Sequence, residues 1–230
     1  MTQAVLLAAG LGTRLGDVTK STPKCLIDVG GKPMLQHWLD KLREVGCAEV
    51  FINTHYLAGQ VNDFVDGSPD KNVIRLVHED ELLGTAGTLA SLRHLLTDDE
   101  VFVAHADNFF VDSLVGMVSA HRSRDPRAVM TMGLFESDTP SSCGIVELDT
   151  AGLVVGFEEK PRSPRSNLAN AAVYLLSQAA LNEVGDSRDF STEVVPRLLG
   201  RINGHRFSGP YFDMGTPESL AAARMSAGGA

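Results

Sequence analysis

Gly10 and Gly12, followed by Thr13 and Arg14 and then by Lys24, form the densest group of residues in this chain that could do chemistry. Glycines let main-chain N–H groups close on a phosphate, and the two cations supply charge that glycine lacks. Between Met1 and Pro33, Arg14, Lys20, Lys24 and Lys32 face only Asp17 and Asp28, although the whole chain has 20 Lys plus Arg against 29 Asp plus Glu. A basic opening in an acidic protein points to an anionic ligand. Two nucleotide motifs are excluded. Lys20-Ser21 is preceded by Asp17-Val18-Thr19, so the P-loop pattern fails, and Leu15 stands where the dinucleotide fingerprint needs its third glycine. The bland alternative is a glycine turn with solvated cations.

The elements that must position this loop follow from periodicity. Gln3 to Ala8 is an apolar run of the kind that lies buried on both faces of a parallel sheet, and it feeds directly into the loop. Pro33 opens a helix with Leu35, Trp38, Leu39, Leu42 and Val45 on one face and Gly46 as its stop. Strands are expected at 49–53, 73–77, 101–106 and 128–135, and helices at 57–65, 86–96 and 112–122. Leu89, Leu92, Leu95 and Leu96 point inward from the second of these helices. This alternation predicts a doubly wound, mostly parallel α/β sheet. After residue 135 the rhythm breaks. The runs 144–148 and 153–158 flank Asp149-Thr150-Ala151-Gly152, a hairpin signal that implies inserted antiparallel strands. A loop at 161–167, a strand at 171–176, a helix at 191–199, short strands near 204–213 and a helix from Pro217 complete the chain. No repeat or long linker interrupts it, so residues 1–230 are expected to form a single domain.

Composition narrows the function classes. Hydrophobic residues make up 43% and charged residues 21% of the 230, which excludes disordered, collagen-like and disulfide-dense classes. A net charge of −9 argues against nucleic acid and anionic membrane as partners. No apolar run approaches a membrane span, and the first residues lack a signal-peptide pattern, so a cytoplasmic location is expected. Cys25, Cys47 and Cys143 have no zinc-site or disulfide spacing, and the seven histidines form no HExxH or HxH pair. His78 and His105, at strand ends, read as structural residues, and Trp38 as core.

The glycine loop with Pro23-Lys24 behind it resembles the signature of the sugar-1-phosphate nucleotidyltransferases, most of all short bacterial members acting on mannose- or heptose-type sugars. Five further motifs keep that family's order: Leu83-Gly84-Thr85-Ala86-Gly87-Thr88, Asp107 after the fourth strand, Glu159-Lys160-Pro161, Asn170 to Tyr174, and Phe212-Asp213-Met214-Gly215-Thr216-Pro217. The resemblance implies a Rossmann-like nucleotide-diphospho-sugar transferase fold with inserted antiparallel strands. It implies that an NTP and a sugar 1-phosphate give an NDP-sugar and pyrophosphate. Arg14, Lys24 and Asp107 would then be catalytic, and Asp107 and Asp213 would hold Mg²⁺. Ala8, Gly10, Gly12, Thr13, Glu79, Gly84 and Thr85 would bind the nucleotide, and Gly144, Glu159, Lys160 and Asn170 the sugar phosphate.

Glu79 lies five residues before Gly84, where pyrimidine-using members often carry a base-reading glutamine. A carboxylate only accepts, and guanine offers two adjacent donors, so GTP is favoured over UTP, TTP or CTP. Four positions depart from the family's habit: His105-Ala106 in place of Asn-Gly, Cys143 in place of an aromatic residue, and Ala172 in place of glycine. The His105-Ala106 pair leaves room for a rival reading as a non-catalytic nucleotide-sugar-binding subunit, against which stands the presence of Arg14, Lys24, Asp107 and Asp213 together; Cys143 and Ala172 bear on the sugar pocket. A nicotinamide oxidoreductase is disfavoured by the failed fingerprint, and a homo-oligomer stays open.

Overall fold

The computed structural model describes residues 2–228. Along Thr2–Leu82 the chain forms β1 (Thr2–Leu7), α1 (Val18–Ser21), β2 (Asp28–Val29), β3 (Lys32–Pro33), α2 (Met34–Glu44), β4 (Cys47–Thr54), α3 (Ala58–Asp66) and β5 (Ile74–His78). Then come α4 (Thr85–Leu92), β6 (Glu100–His105) and β7 (Asn108–Phe110). The remainder is α5 (Val115–Arg122), β8 (Met130–Glu136), β9 (Gly144–Leu148), β10 (Val154–Glu159), β11 (Leu168–Ser177), α6 (Gln178–Asn182), β12 (Ile202–Arg206), β13 (Tyr211–Asp213) and α7 (Pro217–Ala227).

These elements gather into two compact units. The first is built from Thr2–Leu82, Ala104–Leu114 and the residues from Gly209 on. In it β1 pairs in parallel with β4, and β4 in parallel with β5, each step linked by a helix. Ala4, Val5 and Leu6 of β1 and Val50, Phe51 and Ile52 of β4 are almost wholly buried, as strands covered on both faces must be. Helix α2 buries Met34, Leu35, Trp38, Leu39 and Leu42 at the expected helical spacing. The Trp38 indole N–H donates to the Asn108 carbonyl at 3.1 Å, and its ring meets Phe110 edge-on, so α2 fixes the start of β7. Strand β13 pairs antiparallel with β7, bringing Asp213 opposite Asn108.

The second unit holds Leu83–Val103 and Val115–Ser208. Its strands run in the order β10-β9-β11-β8-β12, antiparallel except for the β8–β12 pair. The hairpin between β9 and β10 turns where expected, with Asp149 Oδ1 accepting from the N–H groups of Ala151 and Leu153, each at 2.9 Å. The α/β class with inserted antiparallel strands is therefore present.

Several expected elements differ. The helix expected over 86–96 stops at Leu92, leaving Leu95 exposed, and the one expected over 112–122 starts only at Val115 because 108–110 is a strand. Instead of a helix at 191–199 there is a single π turn, Phe190–Val194, followed by a 3-10 turn, Val195–Leu198. Pro196 has no N–H with which to continue a regular helix from the preceding turn.

Candidate active site

In the first unit the glycine loop leaves β1 at Ala8. The N–H groups of Ala8 and Ala9 both donate to Asn53 Oδ1 at the end of β4, at 2.6 and 3.3 Å. Gly12 adopts φ +64°, and a Cβ there would meet Thr19 Cγ2 at 2.8 Å, so both backbone and space require glycine. Thr19 also donates to the Gly12 carbonyl at 2.9 Å, which pins the turn. A Cβ at Gly10, by contrast, would meet nothing within 4 Å. No protein contact explains glycine there, and the open face suits close approach of a ligand. Thr13 lines a cavity of about 330 Å³ together with Leu11, Thr19 and Tyr56.

Lys24 is only 6% exposed, and its ammonium lies against the Asp107 carboxylate and 3.7 Å from Asp213 Oδ1. Arg14 Nη2 stands 4.0 Å from Asp213 Oδ2. Two carboxylates, from the chain after β6 and the end of β13, thus share one buried cation, with a second cation beside them. Burial acts on Asp107 toward the neutral form. The positive field of Lys24, followed by that of His105 and the Lys24 hydrogen bond, outweighs it, and the carboxyl stays below the usual range. Arg14 lies flat on the turn after β13: a Cβ at Gly215 would fall 2.6 Å from Arg14 Nη2.

Among the described residues no cluster of three or more His, Cys, Asp or Glu side chains could cage a metal. The pair Asp107 and Asp213, already converging on one positive charge, suits Mg²⁺, which takes one or two carboxylates and completes its shell with waters and substrate phosphates.

Glu79 is 4% exposed, and its Oε1 accepts from Asn53 Nδ2 at 2.9 Å. This acid is held within the protein, next to the strand end that carries the loop. Asn53 itself is missed by motif reading, because its partners lie 26 and 45 residues away in sequence.

In the second unit Gly84 and Thr85 have packing reasons of their own. A Cβ at Gly84 would collide with the Arg188 carbonyl, and Thr85 Oγ1 accepts from Phe190 N–H at 2.8 Å. Gly144 makes room for its neighbours across the hairpin, since a Cβ would fall 2.6 Å from Phe157 Cζ and 2.8 Å from Glu159 Oε2. Lys160 is exposed, with its ammonium 3.5 Å from Glu159 Oε1. It has φ +48°, and its N–H donates to the Cys143 carbonyl at 2.9 Å. Asn170 donates from Nδ2 to the Tyr174 hydroxyl at 2.7 Å and accepts on Oδ1 from Ala172 N–H at 2.9 Å. Burial pushes the Tyr174 phenol up to about 12, so it stays protonated. Ala172 has φ +49°.

An α/β unit that ends its first strand in a glycine loop, with two cations and two carboxylates converging beside it, has main-chain donors and positive charge of the kind that can hold phosphate groups. The model of the nucleotidyl transferase family matches residues 3–228, and the chain belongs to that family. It is 33% identical to a mannose-1-phosphate guanylyltransferase of Mycobacterium tuberculosis, over 94% of this chain and 62% of the relative. It is 31% identical to a mannose-1-phosphate guanylyltransferase catalytic subunit beta of Drosophila pseudoobscura pseudoobscura, over 95% of this chain and 60% of the relative. The chain therefore spans about three fifths of the length of these relatives. Among solved structures, a candidate glucose-1-phosphate thymidylyltransferase of Bacillus anthracis in complex with a sucrose superimposes with a TM-score of 0.86 at 25% identity, covering 99% of this chain and 96% of the other. HddC from Yersinia pseudotuberculosis shares the fold with a TM-score of 0.81 at 24% identity, covering 98% and 99%. Among the described residues no helix is long and apolar enough to cross a membrane.

Proposed function

We propose that the chain is a sugar-1-phosphate nucleotidyltransferase, and that its substrates are GTP and a mannose- or heptose-type sugar 1-phosphate. In this reaction an oxygen of the sugar phosphate forms a bond to the α-phosphorus of the NTP. The bond from that phosphorus to the bridging β-phosphate oxygen breaks, and pyrophosphate leaves with the electron pair. The nucleophile is already ionised at neutral pH, so no general base is required, and catalysis consists of alignment and charge neutralisation.

The observation that carries this reading is the Asp107–Lys24–Asp213 cluster with Arg14 at its edge, beside a glycine loop whose Gly10 face is open. Lys24 would neutralise the α-phosphate, and Arg14 the departing pyrophosphate. Gly10 and Gly12 would bring main-chain donors to the triphosphate, with Ala8 and Thr13 in the same segment. Asp107 and Asp213 would hold Mg²⁺, which when bound supplies further positive charge to the phosphate oxygens. In the second unit Lys160 would take the sugar phosphate, and Glu159, Asn170 and the space kept by Gly144 the sugar. Gly84 and Thr85 would support the nucleotide side through the backbone they fix.

For the base, Glu79 carries the reading: it is buried and hydrogen-bonded, and a carboxylate suits the two donors on guanine's edge. The relatives named as mannose-1-phosphate guanylyltransferases support the same choice.

The test is a matrix of four NTPs against hexose, hexosamine and heptose 1-phosphates with Mg²⁺, reading pyrophosphate release. GTP with a mannose- or heptose-type phosphate is expected to be the best pair. If folded, nucleotide-binding protein releases pyrophosphate with no pair, the chain is a binding subunit instead.

A further inference from the structure

Asp107 and Asp213, the two carboxylates suited to Mg²⁺, are already engaged by cations of the chain itself. The Lys24 ammonium lies against Asp107 Oδ2 and 3.7 Å from Asp213 Oδ1, and Arg14 Nη2 stands 4.0 Å from Asp213 Oδ2. Two negative and two positive charges meet, so the cluster is formally neutral. The two cations differ in freedom. The Arg14 side chain is 68% exposed and can move into water, whereas that of Lys24 is 6% exposed. The backbone around Lys24 is fixed too, with Leu26 N–H donating to the Pro23 carbonyl at 2.8 Å and Ile27 N–H to the Lys24 carbonyl at 3.2 Å. Among the described residues, Asp107 and Asp213 are the only acids within salt-bridge distance of Lys24.

We infer that Lys24 keeps divalent cations off the Asp107–Asp213 pair until a triphosphate is bound, so that metal and nucleotide enter the site together. This rests on the reading of the pair as the metal-binding carboxylates of a nucleotidyltransferase. A divalent ion on these oxygens would share them with an ammonium that cannot withdraw, and burial leaves little water to screen the repulsion. The neutral cluster also offers such an ion no net negative charge in return.

A triphosphate changes both conditions. Its oxygens carry several negative charges and give the ammonium a partner other than Asp107. The same oxygens complete the shell of Mg²⁺, which is held by one or two carboxylates together with substrate phosphates. Lys24 then exchanges Asp107 for phosphate, and the carboxylate is released to the metal. The lysine that neutralises the α-phosphate is in this way also what withholds the cation from the nucleotide-free protein. Without its charge the two carboxylates form an acidic pair open to any divalent ion.

The experiment measures Mn²⁺ binding by water proton relaxation, which separates protein-bound Mn²⁺ from free Mn²⁺ and its nucleotide complexes, in wild type, Lys24→Met, Lys24→Gln and Asp107→Ala/Lys24→Met. Each protein is titrated without nucleotide and with GTP or UTP, and thermal unfolding checks folding. Without nucleotide, Lys24→Met is expected to bind Mn²⁺ at least about tenfold more tightly than wild type, the effect of removing one nearby positive charge. The preferred nucleotide should close that gap in wild type, and Asp107→Ala/Lys24→Met should lose the gain. If Lys24→Met and wild type bind Mn²⁺ alike without nucleotide, the inference falls, while nucleotide-dependent binding in wild type keeps the metal site. A gain that survives in Asp107→Ala/Lys24→Met places the ion elsewhere and overturns the inference too. If no protein holds Mn²⁺ with or without nucleotide, the pair takes no metal, and the underlying reading falls together with the inference. Should Lys24→Met fail to fold, Lys24→Gln replaces it. Its amide still donates to Asp107 but carries no charge, and an affinity no higher than that of wild type overturns the inference.

Discussion

Gly215→Ala isolates the position of Arg14 from its charge. The added Cβ would stand 2.6, 2.8 and 3.0 Å from Nη2, Cζ and Nη1 of Arg14, where ordinary contact begins at 3.4 Å. The guanidinium must therefore withdraw by about 0.8 Å or more. It is the far end of a flexible, 68% exposed side chain, so withdrawal costs little stability, and the melting temperature should stay within about 2 °C of wild type. The cost falls on the chemistry. Removing one group that stabilises developing charge costs about a hundredfold in kcat, and a displacement near 1 Å approaches that limit. Gly215→Ala should thus lower kcat by about ten- to a hundredfold, with the KM for nucleotide nearly unchanged. The assay is steady-state pyrophosphate release by Gly215→Ala, Arg14→Ala and the double variant. If Gly215 acts only through Arg14, the double variant is no slower than Arg14→Ala alone. Full additivity, or a Gly215→Ala enzyme with native kcat, would refute the placement of Arg14.

Asp213→Ala should lower kcat about a hundredfold with little change in stability, because the side chain is exposed. Asp107→Ala should do the same and also destabilise the protein by about 3 kcal/mol in urea titrations, because it strips the near partner from the buried Lys24 ammonium. Equal stability of the two variants would refute the buried pair. Ala172→Gly should raise the melting temperature by about 1–3 °C, since an alanine at φ +49° is strained by roughly 1 kcal/mol and glycine is not, less the greater freedom glycine has when unfolded; an unchanged or lowered value refutes it. His121 is fully buried, with Nδ1 2.9 Å from Thr131 Oγ1. Burial, followed by the field of Arg124, lowers it from 6.5 to about 4. Above pH 6.5 both folded and unfolded forms are neutral, and as pH falls toward 4 only the unfolded chain takes the proton. Stability should decline across that window by at most about 3 kcal/mol, since Glu100 Oε1, 3.6 Å from Nε2, works the other way. Urea midpoints at pH 7.5 and 5 should diverge more in wild type than in His121→Gln, and equal divergence would assign the loss elsewhere.

The long periodic elements were legible because each buries a face its own sequence marks. Trp38 and Leu42 of α2 and the apolar runs of β1 and β4 are where their spacing puts them. The two- and three-residue strands β2, β3 and β7 are too short to carry any period; β7 forms where Trp38 and Phe212 hold it, while β13 falls within 204–213, where short strands were expected. The site divides the same way. The glycine loop and its cations announce themselves locally, since glycine and charge act where they stand. That Asp107 and Asp213 meet on Lys24 has no signature in spacing, and only the resemblance to other sequences joined them. Asn53 carried no signal of its own, and Gly215 stood in a motif without its contact being legible: what they touch, Glu79 and Arg14, is remote in sequence.

The pairing of β13 with β7 also sets an order of events during synthesis. Asp107 leaves the ribosome 106 residues before Asp213, an interval of roughly 5–20 s at ordinary elongation rates. Throughout that time Lys24 has only the first of its two carboxylate partners within reach, and Arg14 has no turn on which to lie. A nascent chain can bury its first three parallel strands early, yet the cluster around Lys24 is completed only once β13 has been made.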